Sequence, residues 1–236
     1  MSDRFFSSQL IAGEAATLGG QEAHHLLHVM RAKVGERVTL FDGSGAEFAA
    51  EIVKCGRSEV ELRVLERREL DRELQFELVI GVSLPKGDRQ KWLVEKLTEL
   101  GVTEMVPLET ARGVAQPTES ALERLQRSVV EAAKQCGRNR LLRIAQPQAW
   151  SEWLATGGKS GRKWVAHPQG EALGRIDRSQ AIATRIAVGP EGGFTEEEVA
   201  AAVTAGWQSV ALGKRILRVE TAAVALSAVV ALTGRS

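Results

Sequence analysis

The 236-residue chain is poor in cysteine: Cys55 and Cys136 are its only two. They form no metal-ligand spacing and no disulfide framework. Long hydrophobic runs are missing as well. The most apolar stretch, AAVALSAVVAL near the C-terminus, is 11 residues long, whereas a membrane-spanning helix needs roughly 20. It reads as a buried helix. The N-terminal MSDRFFSSQ lacks the basic and then apolar profile of a signal peptide. Charge of one sign is also lacking: the formal net charge is +1, so no whole-protein field points to nucleic acid. What remains is a chain expected to be soluble and cytoplasmic. Its 44% apolar content is enough to build the core of one large or two modest domains.

Two rhythms divide the sequence. Residues 1 to about 72 suggest short strands: VTLFDG ends in a turn at Gly43-Ser44-Gly45, and EFAAEIVKC and EVELRVLE follow, the last alternating cleanly at Val60, Leu62 and Val64. A short helix, QEAHHLLHVMRA, interrupts them. The charged segment ERRELDREL at 66–74 marks a boundary, placing a first domain at 1–72 and a second at 73–236. Beyond it, strands alternate with longer helices. FELVIGVSL is a buried strand. The helix DRQKWLVEKLTELG has Asp88 as its N-cap, Trp92, Leu93, Leu97 and Leu100 on one face, and Gly101 as its stop. EMVPLE, KWVAHP, RIAVG and SVALG are further strands, and TESALERLQRSVVEAAKQCG is a helix. FTEEEVAAAVTAG carries a capping box, Thr195 with Glu198, and TAAVALSAVVALTG closes the chain as a helix. This pattern predicts an α/β fold with a mostly parallel sheet, which binds ligands at the carboxyl ends of its strands.

Two loops fall at such ends. GPEGG, residues 189–193, follows RIAVG and precedes a helix. Its glycines let backbone groups approach a ligand closely. It is not a phosphate loop of the usual kind: the G-x-x-x-x-G-K-[ST] lysine is missing, Glu191 stands in the turn, and no G-x-G-x-x-G fingerprint occurs anywhere. Such a loop suits a neutral or cationic ligand, unless it is only a strand-to-helix turn. The second loop, ALGKRILRVETAAVAL at 211–226, packs Lys214, Arg215 and Arg218 against Ile216 and Leu217. That mixture fits either a core segment with a solvated basic edge or a wall for the apolar face of a ligand.

Together, GPEGGFTEEEV and LGKRILRVETAAVAL closely resemble the RsmE family, the small-subunit ribosomal RNA (uridine-N3)-methyltransferases of the SPOUT superfamily. LPKGDRQKWLVEKLTELGVTEMVPL, EAAKQCGR and HHLLHVMRAKVGERVTLFDGSG extend the resemblance over nearly the whole chain, with 146–185 the least distinctive part. The resemblance implies a SPOUT-type α/β methyltransferase domain with a deep C-terminal trefoil knot, although general topology rules disfavour knots. It also implies a preceding small PUA-like β-barrel that binds RNA. The cofactor would be S-adenosylmethionine (AdoMet), whose sulfonium is compatible with an acidic residue in the cradle. The target would be N3 of a specific uridine in 16S ribosomal RNA, and the assembly a homodimer. On this reading Gly189, Pro190, Glu191, Gly192, Gly193, Leu212, Gly213, Ile216, Leu217, Arg218 and Thr221 bind the cofactor. A third loop lies around His167 and Pro168.

Uridine N3 must lose its proton before it attacks a methyl carbon. Arg138 is the expected catalytic cation stabilising the uridine anion, with Arg218 as an alternative; Glu131 and Glu191 are candidate bases. The RNA surface is not written in bulk charge, since residues 1–72 hold 10 Lys/Arg against 12 Asp/Glu. Local cations are the candidates for phosphate contacts: Arg4, Arg31, Lys33, Lys86, Arg89 and Lys214. His24 and His28 share a helix face at i, i+4, but without a third ligand they predict no metal site. Rival functions are methylation of another RNA position or of tRNA, and a non-catalytic RNA-binding module.

Overall fold

The alternating apolar positions of the first seventy residues fold into one five-stranded sheet. β3 (Arg37–Phe41), β4 (Ala46–Cys55) and β5 (Val60–Glu69) form an antiparallel meander. β1 (Arg4–Phe6) lies parallel to β3, and β2 (Ala15–Leu18) antiparallel to β5, giving the order β1-β3-β4-β5-β2. Gly43 and Gly45 turn the β3–β4 hairpin with positive φ. A barrel is the sequence expectation, but among the described residues the hydrogen-bonded path stays open between β1 and β2. These edge strands have only three and four residues; they nevertheless send Phe5 and Leu18 into one core with Leu26, Leu40, Phe48, Ile52 and Leu62. The helix expected at 21–32 is shorter: α1 (Gly20–His24) runs into a π-helical turn at His25–Val29, and Arg31, with φ of 56°, ends it.

This computed structural model describes residues 4–113, 116–156, 161–174 and 181–232. It divides the chain into two units: Met1–Glu73 with Ala133–Leu141, and Leu74–Ala132 with Leu142–Ser236. The inclusion of 133–141 in the first unit has no signal in the sequence rhythm. Its cause is a polar network under the sheet. Lys134 reaches Glu22 at 3.0 Å, Arg4 reaches Glu47 and the Asn139 side chain at 2.7 Å each, and Arg138 holds Glu73 through Nε and Nη2.

The second unit is built on a parallel sheet in which β6 (Leu78–Val82), β7 (Glu104–Glu109), β10 (Arg162–Ala172), β11 (Thr184–Val188) and β12 (Gln208–Ala211) carry the fold. Two short strands, β8 (Arg143–Ile144) and β9 (Gln148–Ala149), both pair with β7. The order is β12-β10-β11-β6-β7-β8, so the last strand lies beyond β10, not beside β11. Around the sheet lie α2 (Arg89–Glu99), α3 (Glu119–Cys136), α4 (Trp150–Thr156), α5 (Glu196–Thr204) and α6 (Val219–Ala231). The end of the last predicted helix, residues 233–234, lies outside the described residues. α2 buries Leu93, Val94, Leu97 and Thr98 and leaves Trp92 42% exposed, a face one step round from the predicted one. Thr98 tolerates burial because its hydroxyl donates to the Val94 carbonyl at 2.8 Å. Asp88 occupies the N-cap position but its side chain caps nothing. The Thr195–Glu198 capping box of α5 is complete, at 3.1 and 2.8 Å. No helix among the described residues is long and apolar enough to cross a membrane.

The core of this unit holds an aromatic cluster. Trp150 stacks on Phe194 with ring centroids 4.5 Å apart, and Trp153 meets Trp207 at 5.0 Å. Room for Trp153 comes from Gly81 in the middle of β6: a Cβ there would sit 2.6 Å from the indole. Gly81→Ala is therefore expected to overpack the cluster and lower stability by about 1–3 kcal/mol. Trp153→Phe in the same chain should recover part of the loss; urea denaturation of the three variants measures both effects.

Candidate functional site

The ends of β11 and β12 and the irregular middle of β10 converge on one pocket of about 280 Å³ in the second unit. From β10 come Ala166, His167 and Pro168. They sit where the β10–β12 register breaks between Ala166 and Glu171, and proline there has no N–H for the ladder. Val188 and the whole of 189–194 come from the end of β11; Val210, Leu212, Gly213, Arg215, Ile216 and Leu217 come from the end of β12 and beyond, and Val219 and Ala222 from α6. The walls are apolar side chains and glycine backbone. The volume is near the lower bound of pockets that hold small organic ligands.

The glycine turn is shaped by different glycines in different ways. A Cβ on Gly189 would meet both the backbone nitrogen and the ring of Phe194 at 3.0 Å. Gly193 has φ of 70° and donates to the Pro190 carbonyl at 2.8 Å, closing the turn in a conformation that favours glycine. Gly192 needs neither device. Its added Cβ would make only ordinary contact, 3.4 Å, with Cδ of Arg112.

Glu191 lines the pocket, but its charge is paired. Arg89, in the first turn of α2, donates to Glu191 at 3.0 Å and lies 3.5 Å from Glu220. Glu220 is 6% exposed, and its Oε2 makes no hydrogen bond, so Arg89 meets it as a charge. The guanidinium thus ties the first glycine loop to the start of α6. Arg89, expected at RNA, is engaged by two carboxylates, and Glu191, a candidate base, is paired with a guanidinium.

On its other side the loop is held by the segment after β7. Arg112 Nη1 donates to the Gly192 carbonyl at 2.8 Å, and the Ala111 amide donates to Glu198 at 2.8 Å. Glu197, beside them, is held below the usual carboxylate range by its own backbone amide first and by the Thr195 hydroxyl next, with a contribution from Arg112.

Of the residues expected at the cofactor, Gly189, Pro190, Glu191, Gly192, Gly193, Leu212, Gly213, Ile216 and Leu217 line the pocket. Ile216 is 86% exposed, so it is a wall and not core. Arg218 and Thr221 do not line it; Arg218 sits at the N-cap of α6, where its carbonyl accepts from Ala222 at 2.9 Å, and Thr221 is exposed on the first turn. Sequence reasoning missed Phe194, Arg112 and the pocket role of Arg215. The phenylalanine could have been found from its place directly after the glycines; no motif announces Arg112.

Arg138, the expected catalytic cation, is not part of the pocket lining. It is 5% exposed in the first unit, with two nitrogens on Glu73. A buried guanidinium bound to a carboxylate through two nitrogens is engaged in holding structure, with Glu73 only partly covered. Arg4, expected at RNA, is likewise engaged internally, bound to Glu47 and Asn139 and lying 5.1 Å over Phe41. Arg31 and Lys33 in the first unit, and Lys86 and Lys214 in the second, are exposed. Glu131 is exposed on α3. His24 and His28 stack at 4.8 Å, and no group of three metal-ligating side chains occurs among the described residues.

Comparison with known proteins places this pocket in a family. Residues 72–231 match the RNA methyltransferase domain family, and residues 18–65 match the RNA methyltransferase PUA domain. The chain is 32% identical over 226 residues to ribosomal RNA small subunit methyltransferase E of Bacillus subtilis, covering 90% of this chain and 88% of that one. The crystal structure of the Neisseria gonorrhoeae methyltransferase E bound to S-adenosyl methionine superposes with a TM-score of 0.88 at 32% identity, covering 97% of this chain and 96% of that one. A Legionella pneumophila structure in complex with the same cofactor gives 0.90 at 27% identity, covering 99% and 98%. An α/β RNA methyltransferase domain joined to a PUA domain, matched along nearly its full length, makes this chain a member of the ribosomal RNA small subunit methyltransferase E family.

Proposed function

We propose that this protein uses AdoMet to methylate N3 of one uridine in 16S ribosomal RNA. The observation that carries the proposal is the pocket itself, where three adjacent parallel strands, two at their ends and β10 at its register break, present glycine backbone and apolar side chains to one cavity. Its fit to a nucleoside thioether rests on the close approach at Gly189 and the apolar walls Val188, Leu212, Ile216 and Leu217. AdoMet carries no phosphate, which agrees with a glycine loop lacking the phosphate-loop lysine.

In this reading the backbone of 189–193 and 212–213 holds the cofactor, and Phe194 and Leu217 exclude water from it. When bound, AdoMet supplies a methyl group made electrophilic by the sulfonium. The protein's contribution is mainly orientation of two partners in line. Uridine N3 lies on the Watson–Crick edge, so the nucleotide must be unpaired or flipped to enter. Exposed Arg215 at the pocket, with Lys214 beside it, is suited to the RNA backbone or to the uridine anion. Arg31 and Lys33 give the first unit, the smaller PUA-like body, cations for other phosphates. The proposal includes a deep trefoil knot formed by the crossovers among β10, β11 and β12. The order β12-β10-β11, in which the chain's last strand lies beyond the first of the three, supports it. It also includes a cytoplasmic homodimer joined through the methyltransferase domain, with the small residues of α6 permitting close approach.

Mass mapping of small-subunit RNA from cells lacking this protein tests the reaction. One uridine is expected to lose a single methyl group and to regain it when the purified protein and AdoMet are added. Loss at a cytidine, at a ribose or in tRNA would replace the uridine-N3 reading. Within the pocket, Gly189→Ala is expected to weaken binding of the product S-adenosylhomocysteine (AdoHcy) by about tenfold or more, because the Phe194 backbone cannot yield easily. Gly192→Ala should bind within about twofold of the parent, since its Cβ meets only the arginine stem. Calorimetry on both variants reads the contrast.

A further inference from the structure

The cofactor family and its glycine loops leave one feature of the pocket without a role. Arg112 follows β7, outside both C-terminal motifs, yet it lines the cavity. Its stem lies over Gly192, with Cδ 3.4 Å from the position a Cβ would take there, and its Nη1 is fixed on the Gly192 carbonyl at 2.8 Å. Among the described residues this is its one hydrogen bond; Glu197 feels its charge through space, and the neighbouring Glu191 is taken by Arg89. A guanidinium offers five N–H donors in a rigid fork. Here one donor anchors the group to the rim and the others remain for an anion.

The geometry points to Arg112 as the residue that binds the carboxylate of the cofactor's methionyl tail. This rests on the AdoMet reading of the same pocket and goes beyond it. The remaining walls are mostly backbone and apolar side chains, which suit an adenosine and a thioether; of the polar ones, Glu191 is paired with Arg89 and His167 Nδ1 accepts from the Gln169 amide. The other arginine in the lining, Arg215, lies in an exposed bend next to Lys214, without a hydrogen bond to the glycine loop among the described residues, and suits RNA. Arg112 is tied by a hydrogen bond to the loop that the cofactor would touch. A fixed fork complements a carboxylate whose position is fixed by the rest of its molecule.

The test uses two ligands that differ in that tail. AdoHcy has the amino-acid carboxylate; 5′-methylthioadenosine keeps the nucleoside and sulfur and lacks it. Both are titrated calorimetrically into the full-length parent, Arg112→Ala and Arg112→Lys, with melting temperatures recorded alongside. Arg112→Ala is expected to weaken AdoHcy by about 10- to 100-fold while 5′-methylthioadenosine changes by less than about twofold. Arg112→Lys, which keeps charge but not the fork, should fall between. Equal weakening of both ligands would overturn the assignment, because Arg112 would then act only by shaping the loop through Gly192. No change in either ligand, with a raised KM for RNA, would overturn it in favour of a phosphate contact. If the parent itself binds neither ligand, the cofactor reading fails, and this assignment with it.

Discussion

The backbone of Gly189 passes so close to Phe194 that no side chain fits between them, and the architecture of the pocket depends on that approach. Phe194 is pinned from behind by Trp150, which also donates from its indole to the Glu198 carbonyl at 3.1 Å. Trp153 and Trp207 complete the cluster, and Gly81 yields the space in the sheet that Trp153 fills. Core packing thus reaches the site by direct contact: tryptophans fix the phenylalanine, the phenylalanine fixes the glycine turn, and the turn exposes its backbone to the cavity. A loop held this way is preorganised, so little ordering remains to be done when a ligand binds.

Electrostatics finish the job that packing starts. The loop's polar atoms are claimed by residues from two other strand ends. Arg89 takes Glu191 and sits against Glu220, while Arg112 takes the Gly192 carbonyl and the Ala111 amide takes Glu198. Each tie crosses from one βα connection to another. A carboxylate in a glycine loop is therefore explained without a cationic ligand: Glu191 is one half of a strap between the loop and α2. The sulfonium remains compatible with it but is not required by it.

Much of this was legible in the sequence, and the parts that were not share a physical cause. Periodicity found β5 by its alternating buried face, and β6, β11 and the last helix as apolar runs buried in the core. Local chemistry found the α5 cap, since Thr195 and Glu198 satisfy each other within four residues. The glycine and RILR motifs brought nine pocket residues into view. Periodicity could not find β1, β2, β8 and β9, which have two to four residues each, too few for any period to register. Nor could it show that 133–141 folds with the first unit. The basic residues misled for a related reason: Arg4, Arg89 and Arg138 look alike in a sequence, and only their partners Glu47, Glu191 and Glu73, 43, 102 and 65 positions away, reveal them as internal ties. Arg112 went unnoticed because what matters about it is a single carbonyl 80 residues distant.

The central claim is that a backbone cradle braced by the aromatic cluster holds AdoMet. A crystal structure of the protein grown with AdoHcy tests it most directly. The account predicts ligand density between 189–194 and 212–217, with the adenosine against glycine backbone and the apolar faces of Leu212 and Leu217. Ligand density elsewhere in the chain, or a cavity that stays free of it at saturating AdoHcy, would contradict the account.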